Sequence, residues 1–208
     1  SGPNTGGMGA YSPAPVVTAE VHKRVMDEVI YPTVRGMASE GNVYTGFLYA
    51  GLMIDKAGKP KVIEFNCRFG DPETQPIMCR LESSLVLLVE AALAKALDKV
   101  EATWDPRPTV GVVIAAGGYP ADYAKGDVIE GLDAAAQLEG KVFHAGTALK
   151  DGQIVTAGGR VLCATAIGRT VEEAQQQAYR LAEKIRWNGS FYRNDIGYRA
   201  IARERGEK

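Results

Sequence analysis

Cysteine is scarce in this sequence. The three cysteines, Cys67, Cys79 and Cys163, are odd in number and show no close pairing. A disulfide framework needs an even number of cysteines at regular spacings, and a zinc site needs closely spaced pairs of ligands. The sequence therefore argues against a disulfide-rich domain and against a zinc site, and we expect a reducing, cytoplasmic setting.

Long apolar runs and excess charge are absent as well. No run approaches the roughly 20 apolar residues that a membrane helix requires, and the amino terminus has no basic segment followed by an apolar core. There are 24 Lys and Arg residues against 25 Asp and Glu, a formal net charge of -1. Neither a membrane nor a nucleic-acid partner is therefore predicted. With 208 residues and 46% hydrophobic content, the chain can form one large or two small domains.

A strand is predicted at residues 61–69, where side chains alternate between two faces. The apolar face, expected to be core, carries Ile63, Phe65, Cys67 and Phe69, and the opposite face carries the polar row of Glu64, Asn66 and Arg68. A carboxylate and an amide oxygen suit Mg²⁺, which takes one or two protein ligands and completes its shell with water and nucleotide phosphates. An arginine beside them would bind a phosphate or carboxylate through its bidentate fork. Alternation alone leaves a plain solvated face as the alternative.

A strand-to-helix corner follows, with the sequence Gly70-Asp71-Pro72-Glu73. Glycine permits a tight turn, aspartate is a favoured N-cap and proline suits the first helical position. The N–H groups of a helix start attract anions, so the corner predicts an electropositive end beside the polar row. Asp71 and Glu73 fit two roles: acids that stabilise the helix start, or partners for Arg68 or a substrate ammonium group.

Residues 1–15 are rich in glycine, proline, asparagine and serine, which predicts a loop that is ordered only if something pins it. Its glycines allow successive N–H groups to form an anion-binding nest. The stretch has neither the Gly-Lys-Ser/Thr ending of a P-loop nor the third glycine of a dinucleotide fingerprint.

Three further elements are predicted before residue 97. They are a helix from Thr18 that is ended or kinked at Pro32 and closed by Gly41, a hairpin of residues 44–54 with 61–69, and a helix from Ser83 or Ser84 to Leu97. The apolar face of the last helix is expected to be core.

A linker is predicted between residues 97 and 110, where Asp, Lys, Glu and Pro accumulate. The predicted domains are accordingly residues 1–103 and 104–208. The second is expected to be a small α+β domain with strands at 109–116, near 128, and at 142–149, 154–156 and 161–167, and with a helix from the capping residue Thr170 to about Trp187. His144 is interpreted as a structurally hydrogen-bonded histidine rather than a proton-transfer group.

The run Arg68-Phe-Gly-Asp-Pro-Glu-Thr-Gln75 closely resembles the signature of the glycinamide ribonucleotide synthetases, also called phosphoribosylamine-glycine ligases. Residues 2–13, the strand at 46–53 and the loop at 115–120 are similar to the same family, so the resemblance runs nearly end to end. It implies an ATP-grasp enzyme. The expected fold class is α+β: the carboxy-terminal part of an ATP-grasp domain, an antiparallel sheet with helices, followed by a small mixed α/β domain.

The resemblance also implies an activity and its ligands. The family uses ATP to join glycine to 5-phosphoribosylamine, giving glycinamide ribonucleotide, ADP and phosphate in de novo purine biosynthesis, and glycine first becomes a glycyl phosphate. Mg²⁺ or Mn²⁺ is the implied cofactor, and ATP is a co-substrate. Two alternatives stay open: a non-catalytic packing or assembly module, and an ATP-grasp ligase for another pair of acid and amine.

The implied site residues lie in two stretches of the chain. By resemblance, Glu64 and Asn66 match the metal ligands, and Arg68 and Asp71 are the candidate catalytic residues. The candidate substrate-binding residues are Asn4, Thr5, Gly6, Gly7, Gly70 and Glu73. The chain departs from many ATP-grasp enzymes in one respect. They carry a second acidic metal ligand on the preceding strand, which here is apolar around Leu52 and Met53.

Family members also carry an amino-terminal substrate domain and an ATP-gripping lobe ahead of the region that this chain resembles. The chain is therefore expected to correspond to the carboxy-terminal half of the enzyme. Its start at Ser1 and Gly2, without an initiator methionine, fits a processed, trimmed or fragmentary chain. The amino-terminal half of the same enzyme is an expected partner, and the isolated chain is expected to be inactive.

Overall fold

The computed structural model describes residues 3–207, so the expectation placed on Ser1 and Gly2 lies outside the described residues. The strands are β1 (Gly9–Ser12), β2 (Tyr49–Ile54), β3 (Pro60–Asn66), β4 (Thr109–Ala115), β5 (Lys141–His144), β6 (Thr147–Lys150), β7 (Gln153–Thr156) and β8 (Arg160–Ile167). The helices are α1 (Ala19–Val25), α2 (Tyr31–Ser39), α3 (Thr74–Arg80), α4 (Leu85–Leu93), α5 (Leu132–Ala135), α6 (Val171–Ala182) and α7 (Tyr198–Glu204). A π-helical turn covers Met26–Ile30, and a 3₁₀ turn covers Leu97–Lys99. Across residues 3–207, the helices are too short or too polar to cross a membrane.

Contacts between residues divide the chain into two compact units. The first unit holds the residues up to Ser12, Asp71–Arg80, and the residues from Asp105 onward. The second unit holds Pro13–Gly70 and Leu81–Trp104. The units follow contacts rather than chain order, and the predicted domains at residues 1–103 and 104–208 stay a prediction.

The first unit is built on a four-stranded antiparallel sheet in the order β1-β4-β8-β5. The almost unbroken apolar sequence of β4 suits a strand that is covered on both faces. On one face, Val112 and Ile114 share a core with Leu181 of α6. On the other face, a Cβ added at Gly111 would lie 3.2 Å from Cγ of Pro76 in α3. The sheet therefore lies between α6 and α3.

Most elements predicted for this unit are confirmed, including β4, β7, β8 and α6. Thr170 caps α6 as predicted, because its Oγ1 accepts the Glu173 N–H at 3.1 Å. The helix ends at Ala182 rather than near Trp187. The reason is a competing pairing, since the backbones of Glu130 and Arg186 exchange two hydrogen bonds of 2.9 and 3.1 Å. His144 is hydrogen-bonded as predicted, with Nδ1 3.0 Å from Oγ1 of Thr147.

Other predictions for this unit are wrong. Residues 142–149 form the two strands β5 and β6 rather than one, because the chain turns at Ala145 and Gly146, whose N–H groups bond to the carbonyls of Val161 and Arg160. Residues 9–12, predicted as loop, form the edge strand β1 against β4. Helix α7 was not predicted, since seven residues are too few for a clear periodic pattern.

The second unit contains α1, α2, α4 and the antiparallel β2–β3 hairpin, which confirms the predicted hairpin. Thr18 caps α1 as predicted, with its Oγ1 accepting the Val21 N–H at 3.2 Å. Pro32 distorts the helix without ending it. The π-helical turn comes just before Pro32, a residue that has no N–H to donate. Gly41, with a φ of 82°, closes α2 as predicted.

The apolar face predicted as core on β3 is largely exposed, whereas the face predicted as core on α4 is half-buried apart from Leu93, so neither strand nor helix has the fully buried face that was predicted. On β3, Ile63 is 66% exposed and Phe65 is 40% exposed, and Cys67 beyond the strand is exposed too. On α4, which Ser84 caps and which ends early at Leu93, that leucine is 72% exposed. The hairpin is a two-stranded sheet within the described residues. A sheet buries a face only against a second layer of structure, and the sequence of the strand itself does not show whether such a layer is present.

Candidate functional site

Glu64 and Asn66 lie at the carboxyl end of β3, in register with β2. Glu64 is opposite Gly51, and the register shifts between Gly51 and Leu52. This shift leaves Ile63 as an extra residue on β3, a β-bulge. The strand predicted at residues 61–69 is therefore present, but it ends at Asn66 and alternates regularly only after the bulge.

The three side chains of the polar row contact one another. Asn66 Nδ2 donates to Glu64 Oε1 at 3.3 Å, and Arg68 Nη2 donates to Asn66 Oδ1 at 3.3 Å. Arg68 Nη1 also donates to the carbonyl of Phe69 at 2.7 Å, which anchors the guanidinium beyond the strand. The two contacts through Asn66 are long for hydrogen bonds, so an incoming ligand can replace them readily. The structure brings the three residues together, and their chemical roles stay a prediction.

The donor set of the polar row fits a divalent cation. Glu64 is exposed and offers a carboxylate, and Asn66 is half-buried and offers an amide. A half-turn of the amide exchanges its oxygen and nitrogen and brings Oδ1 beside Glu64 Oε1. Two protein oxygens are sufficient for Mg²⁺ when phosphates and water complete its shell. Among the described residues, no group of three or more His, Cys, Asp or Glu side chains is arranged to hold a metal.

Gly51 contributes to this surface by having no side chain. A Cβ added at Gly51 would lie 3.1 Å from Glu64 Cγ and 3.6 Å from the Glu64 carbonyl oxygen. The Glu64 side chain therefore lies over open backbone of β2. In sequence, a glycine inside an apolar strand is the only sign of such a close approach, and it does not identify the partner.

Asp71 lies in the first unit, in a turn rather than at a helix N-cap. Helix α3 begins only at Thr74, so the predicted helix start at Asp71 is wrong. Asp71 instead pairs with Arg160 of β8: Nη2 donates to Asp71 Oδ2 at 2.8 Å, and Nη1 donates to the Asp71 carbonyl at 2.9 Å. A charge-assisted hydrogen bond to an arginine is stronger than a typical N-cap hydrogen bond, which explains why Asp71 pairs with Arg160 and does not cap a helix.

The loop at residues 3–8 packs onto the same arginine. Arg160 Nη1 donates to the Gly7 carbonyl at 3.1 Å, and the Gly6 N–H donates to Tyr119 Oη at 3.1 Å. Met8 is buried, and its carbonyl accepts a backbone hydrogen bond at 3.0 Å. These contacts pin the loop. Gly6 and Gly7 do not form the anion nest considered for this loop, because neither has a left-handed φ and the Gly6 N–H is already bonded.

The remaining predicted substrate residues differ in accessibility. Asn4 and Thr5 are exposed, Glu73 is half-buried and Gly70 is buried. Asn4, Thr5 and Glu73 belong to the first unit, whereas Gly70 belongs to the second. Their roles in binding stay predictions.

Two cysteines lie close to residues of the candidate site. Cys163 is 1% exposed, and burial raises the pKa of its thiol to about 12, so it is not a nucleophile at neutral pH. Cys67 is exposed and contacts Tyr44. Desolvation, and then the neighbouring Cys67, raise the pKa of Tyr44 above its usual value. Burial therefore removes Cys163 from the available chemistry, whereas Cys67 stays accessible.

Two family models match the chain. The model for the phosphoribosylglycinamide synthetase ATP-grasp (A) domain matches residues 1–74, and the model for the phosphoribosylglycinamide synthetase C domain matches residues 109–199. The chain belongs to the phosphoribosylglycinamide synthetase family. The first match contains the polar row and Asp71, and the second contains Arg160. The family resemblance seen in residues 68–75 is thereby confirmed.

Named relatives agree with the family models. Phosphoribosylamine–glycine ligase from Pseudomonas aeruginosa is 90% identical over 207 residues, which are 100% of this chain and 48% of that relative. The crystal structure of phosphoribosylamine–glycine ligase from Thermotoga maritima is 41% identical with a TM-score of 0.76, over 94% of this chain and 48% of that chain. The chain thus spans about half the length of the relatives it matches.

A structure with lower sequence identity is similar to this chain in fold only. N5-carboxyaminoimidazole ribonucleotide synthetase from Thermotoga maritima is 17% identical with a TM-score of 0.60, over 86% of this chain and 45% of that chain. Together with the ATP-grasp family model, this likeness confirms the predicted α+β fold class, with antiparallel sheets and helices of the ATP-grasp type.

Proposed function

We propose that the chain is the carboxy-terminal half of an ATP-dependent phosphoribosylamine–glycine ligase. The reaction joins glycine to 5-phosphoribosylamine and gives glycinamide ribonucleotide, ADP and phosphate, a step of de novo purine biosynthesis. The observation that carries the proposal is the contacting row of Glu64, Asn66 and Arg68, which lies in the segment that matches the ATP-grasp model. The names of the relatives support the choice of substrates.

Glu64 and Asn66 are the proposed ligands of one Mg²⁺ or Mn²⁺. Their hard oxygens and their number suit a cation that also binds nucleotide phosphates. When bound, the ion supplies positive charge that neutralises the phosphates of ATP. Arg68 comes next along the row, and we assign to its exposed guanidinium the stabilisation of charge on the transferred phosphoryl group or on the glycyl carboxylate.

The proposed reaction has two steps. A carboxylate oxygen of glycine attacks the terminal phosphorus of ATP, the bond to ADP breaks, and glycyl phosphate forms. The amine of phosphoribosylamine then attacks the glycyl carbonyl, phosphate leaves with its electron pair, and the amine loses a proton as the amide forms. Water must be excluded, because it would hydrolyse the acyl phosphate first.

Asp71 is the proposed group that orients the amine. Its carboxylate accepts hydrogen bonds only, and it is 56% exposed while Arg160 holds Oδ2. The further residues proposed to bind substrate are Asn4, Thr5, Gly6, Gly7, Gly70 and Glu73.

The amino-terminal half of the enzyme is the proposed partner of this chain. Ile63 and Phe65 on β3, and Leu93 on α4, present apolar side chains of the kind that a covering domain buries. The chain also spans only 48% of the Pseudomonas relative. Below, "completed enzyme" denotes this chain joined to that amino-terminal half.

The completed enzyme tests the proposal directly. We expect ADP release that requires both glycine and phosphoribosylamine, with glycinamide ribonucleotide identified by mass spectrometry. ADP release with another small carboxylic acid, but not with glycine, would overturn the proposal in favour of a ligase for another acid and amine. Full activity after Glu64, Asn66 and Arg68 are all changed to alanine would favour a packing module.

Gly51→Val is expected to raise the Mg²⁺ concentration that gives half the maximal rate of the completed enzyme about tenfold. Changes to groups that orient a metal ligand typically cost 10- to 100-fold in affinity or activity. The branched side chain would occupy the space over β2 in which Glu64 lies. The measurement is the initial rate as a function of Mg²⁺ concentration.

Ala50→Val is the matched control for this substitution. It adds a branched side chain to the neighbouring residue of β2, which points to the opposite face of the hairpin. Its Mg²⁺ dependence should equal that of the parent enzyme. An unchanged Mg²⁺ dependence in Gly51→Val would show that Glu64 does not need the open backbone at position 51.

A further inference from the structure

Arg160, the first residue of β8, bonds two segments that are distant from it in sequence. Its Nη1 donates to the carbonyls of Asp71 at 2.9 Å and Gly7 at 3.1 Å, and its Nη2 donates to Asp71 Oδ2 at 2.8 Å. Gly7 is 153 residues away and Asp71 is 89 residues away. One guanidinium thus fastens the glycine-rich loop and the signature turn to the central sheet.

Close packing leaves the guanidinium little freedom. A Cβ added at Gly6 would lie 2.9 Å from Arg160 Cζ, and a Cβ added at Gly159 would lie 2.3 Å from Cδ2 of Tyr119. The Tyr119 hydroxyl in turn accepts the Gly6 N–H at 3.1 Å. Only glycines fit at these two positions without displacing Arg160 or Tyr119. The contacts of Arg160 and Tyr119 therefore fix the position of the loop relative to the sheet.

The pair of Arg160 and Asp71 differs from an ordinary surface ion pair. The Arg186–Glu130 pair of the same unit is exposed on both sides, at 80% and 61%, and such pairs add little to stability. Arg160 is only 22% exposed, whereas its partner Asp71 is 56% exposed. The cation is sheltered and the carboxylate it holds faces solvent. The Arg160 guanidinium is thus occupied by protein acceptors, while the Asp71 carboxylate stays accessible.

We infer that Arg160 is a positioning residue for the ligase reaction: it holds the Asp71 carboxylate and the loop at Gly7 in the geometry that the substrate requires. The inference rests on the proposed function and extends it to a residue of the second family-model match. The group that Asp71 receives is an amine or ammonium group of a substrate, because a carboxylate accepts hydrogen bonds from such donors.

Steady-state kinetics of the completed enzyme provide the first test. Arg160→Met is expected to lower kcat/KM for phosphoribosylamine about 100-fold, since a displacement of about 1 Å in a positioning contact costs that much. The KM for ATP should stay unchanged. Arg160→Lys keeps the charge but loses the planar fork, and should recover only part of the loss. Arg186→Met is the matched control and should retain the parent kinetics.

A double-mutant cycle separates action through Asp71 from independent action. Asp71→Asn, Arg160→Met and the double variant are compared in kcat/KM for phosphoribosylamine. If Arg160 acts partly through Asp71 and partly through the loop at Gly7, the double variant loses less activity than the two single losses combined, because the contribution of Asp71 is removed only once. Losses that add in the double variant would overturn the inference.

Hydrogen exchange read by mass spectrometry gives a second readout that does not depend on turnover. Arg160→Met should speed exchange in peptides covering residues 3–12 and 70–76 and leave α6 unchanged. Exchange that is unchanged in both peptides would overturn the inference. Faster exchange throughout the first unit would overturn it too, because Arg160 would then be a general folding residue.

The two proposals fail in different ways. If the parent completed enzyme forms no glycinamide ribonucleotide, the proposed function fails, and the exchange comparison still decides whether Arg160 holds the loop and the turn. If the parent is active and Arg160→Met matches Arg186→Met in kinetics, the inference about Arg160 fails alone.

Discussion

Glu64→Gln in the completed enzyme is expected to lower kcat by a factor on the order of 100 to 1,000, the range found when a charge-stabilising group is removed from an active site. The substitution preserves the size of the side chain and removes its negative charge, so the cation keeps a weaker ligand at this position. Glu64 is exposed and its contact to Asn66 is a long hydrogen bond, so folding should be unaffected. ADP release is measured across a Mg²⁺ titration, and high Mg²⁺ should recover part of the loss.

Glu82→Gln is the matched control for this prediction. Glu82 is exposed in the same unit, and its backbone N–H bonds to the Thr103 carbonyl at 3.0 Å, a contact that the substitution retains. The control should have the parent rate. A Glu64→Gln enzyme as active as the parent would show that the polar row is only a solvated face, the alternative that alternation leaves open.

The 208-residue chain alone is expected to release no ADP above background when it is mixed with ATP, Mg²⁺, glycine and phosphoribosylamine. The polar row lies on a strand whose apolar residues are also accessible, with Ile63 66% and Phe65 40% exposed. Substrates would be held loosely there, and water would reach an acyl phosphate before the amine does. ADP is measured with a coupled assay.

Adding the missing half as a separate polypeptide tests the same need for a partner. Adding the separately produced amino-terminal half should restore ADP release with the parent chain and fail with the Glu64→Gln chain. The second mixture controls for a contaminating ATPase. ADP release by the 208-residue chain alone, dependent on both glycine and phosphoribosylamine, would contradict the need for a partner.

The parts of the structure that depend on neighbouring residues could be predicted from the sequence. The caps at Thr18, Ser84 and Thr170 all form, because each cap hydrogen bond spans a single turn. Glu64 and Asn66 come together for a similar reason, since residues two apart on a strand share a face. Local pattern therefore located the polar row and the hairpin that carries it.

Burial and long-range pairing could not be predicted in this way. Ile63 and Phe65 are apolar, but their exposure depends on whether another layer covers the hairpin, and that information is not in their own segment. The predicted N-cap role of Asp71 used only its sequence neighbours, whereas its partner Arg160 is 89 residues away. A periodic sequence pattern does not predict contacts over such a separation, so only the three-dimensional structure identifies Arg160 as the partner of Asp71.

The central claim is that Glu64 and Asn66 hold a divalent cation, and Mn²⁺ binding tests it most directly. Mn²⁺ is titrated into the completed enzyme with a non-hydrolysable ATP analogue, and free Mn²⁺ is counted by electron paramagnetic resonance. We predict that the affinity falls at least about tenfold in Glu64→Gln, as expected for loss of a metal contact, and is unchanged in Glu82→Gln. Equal Mn²⁺ affinity in the parent and Glu64→Gln enzymes would contradict the assigned ligands.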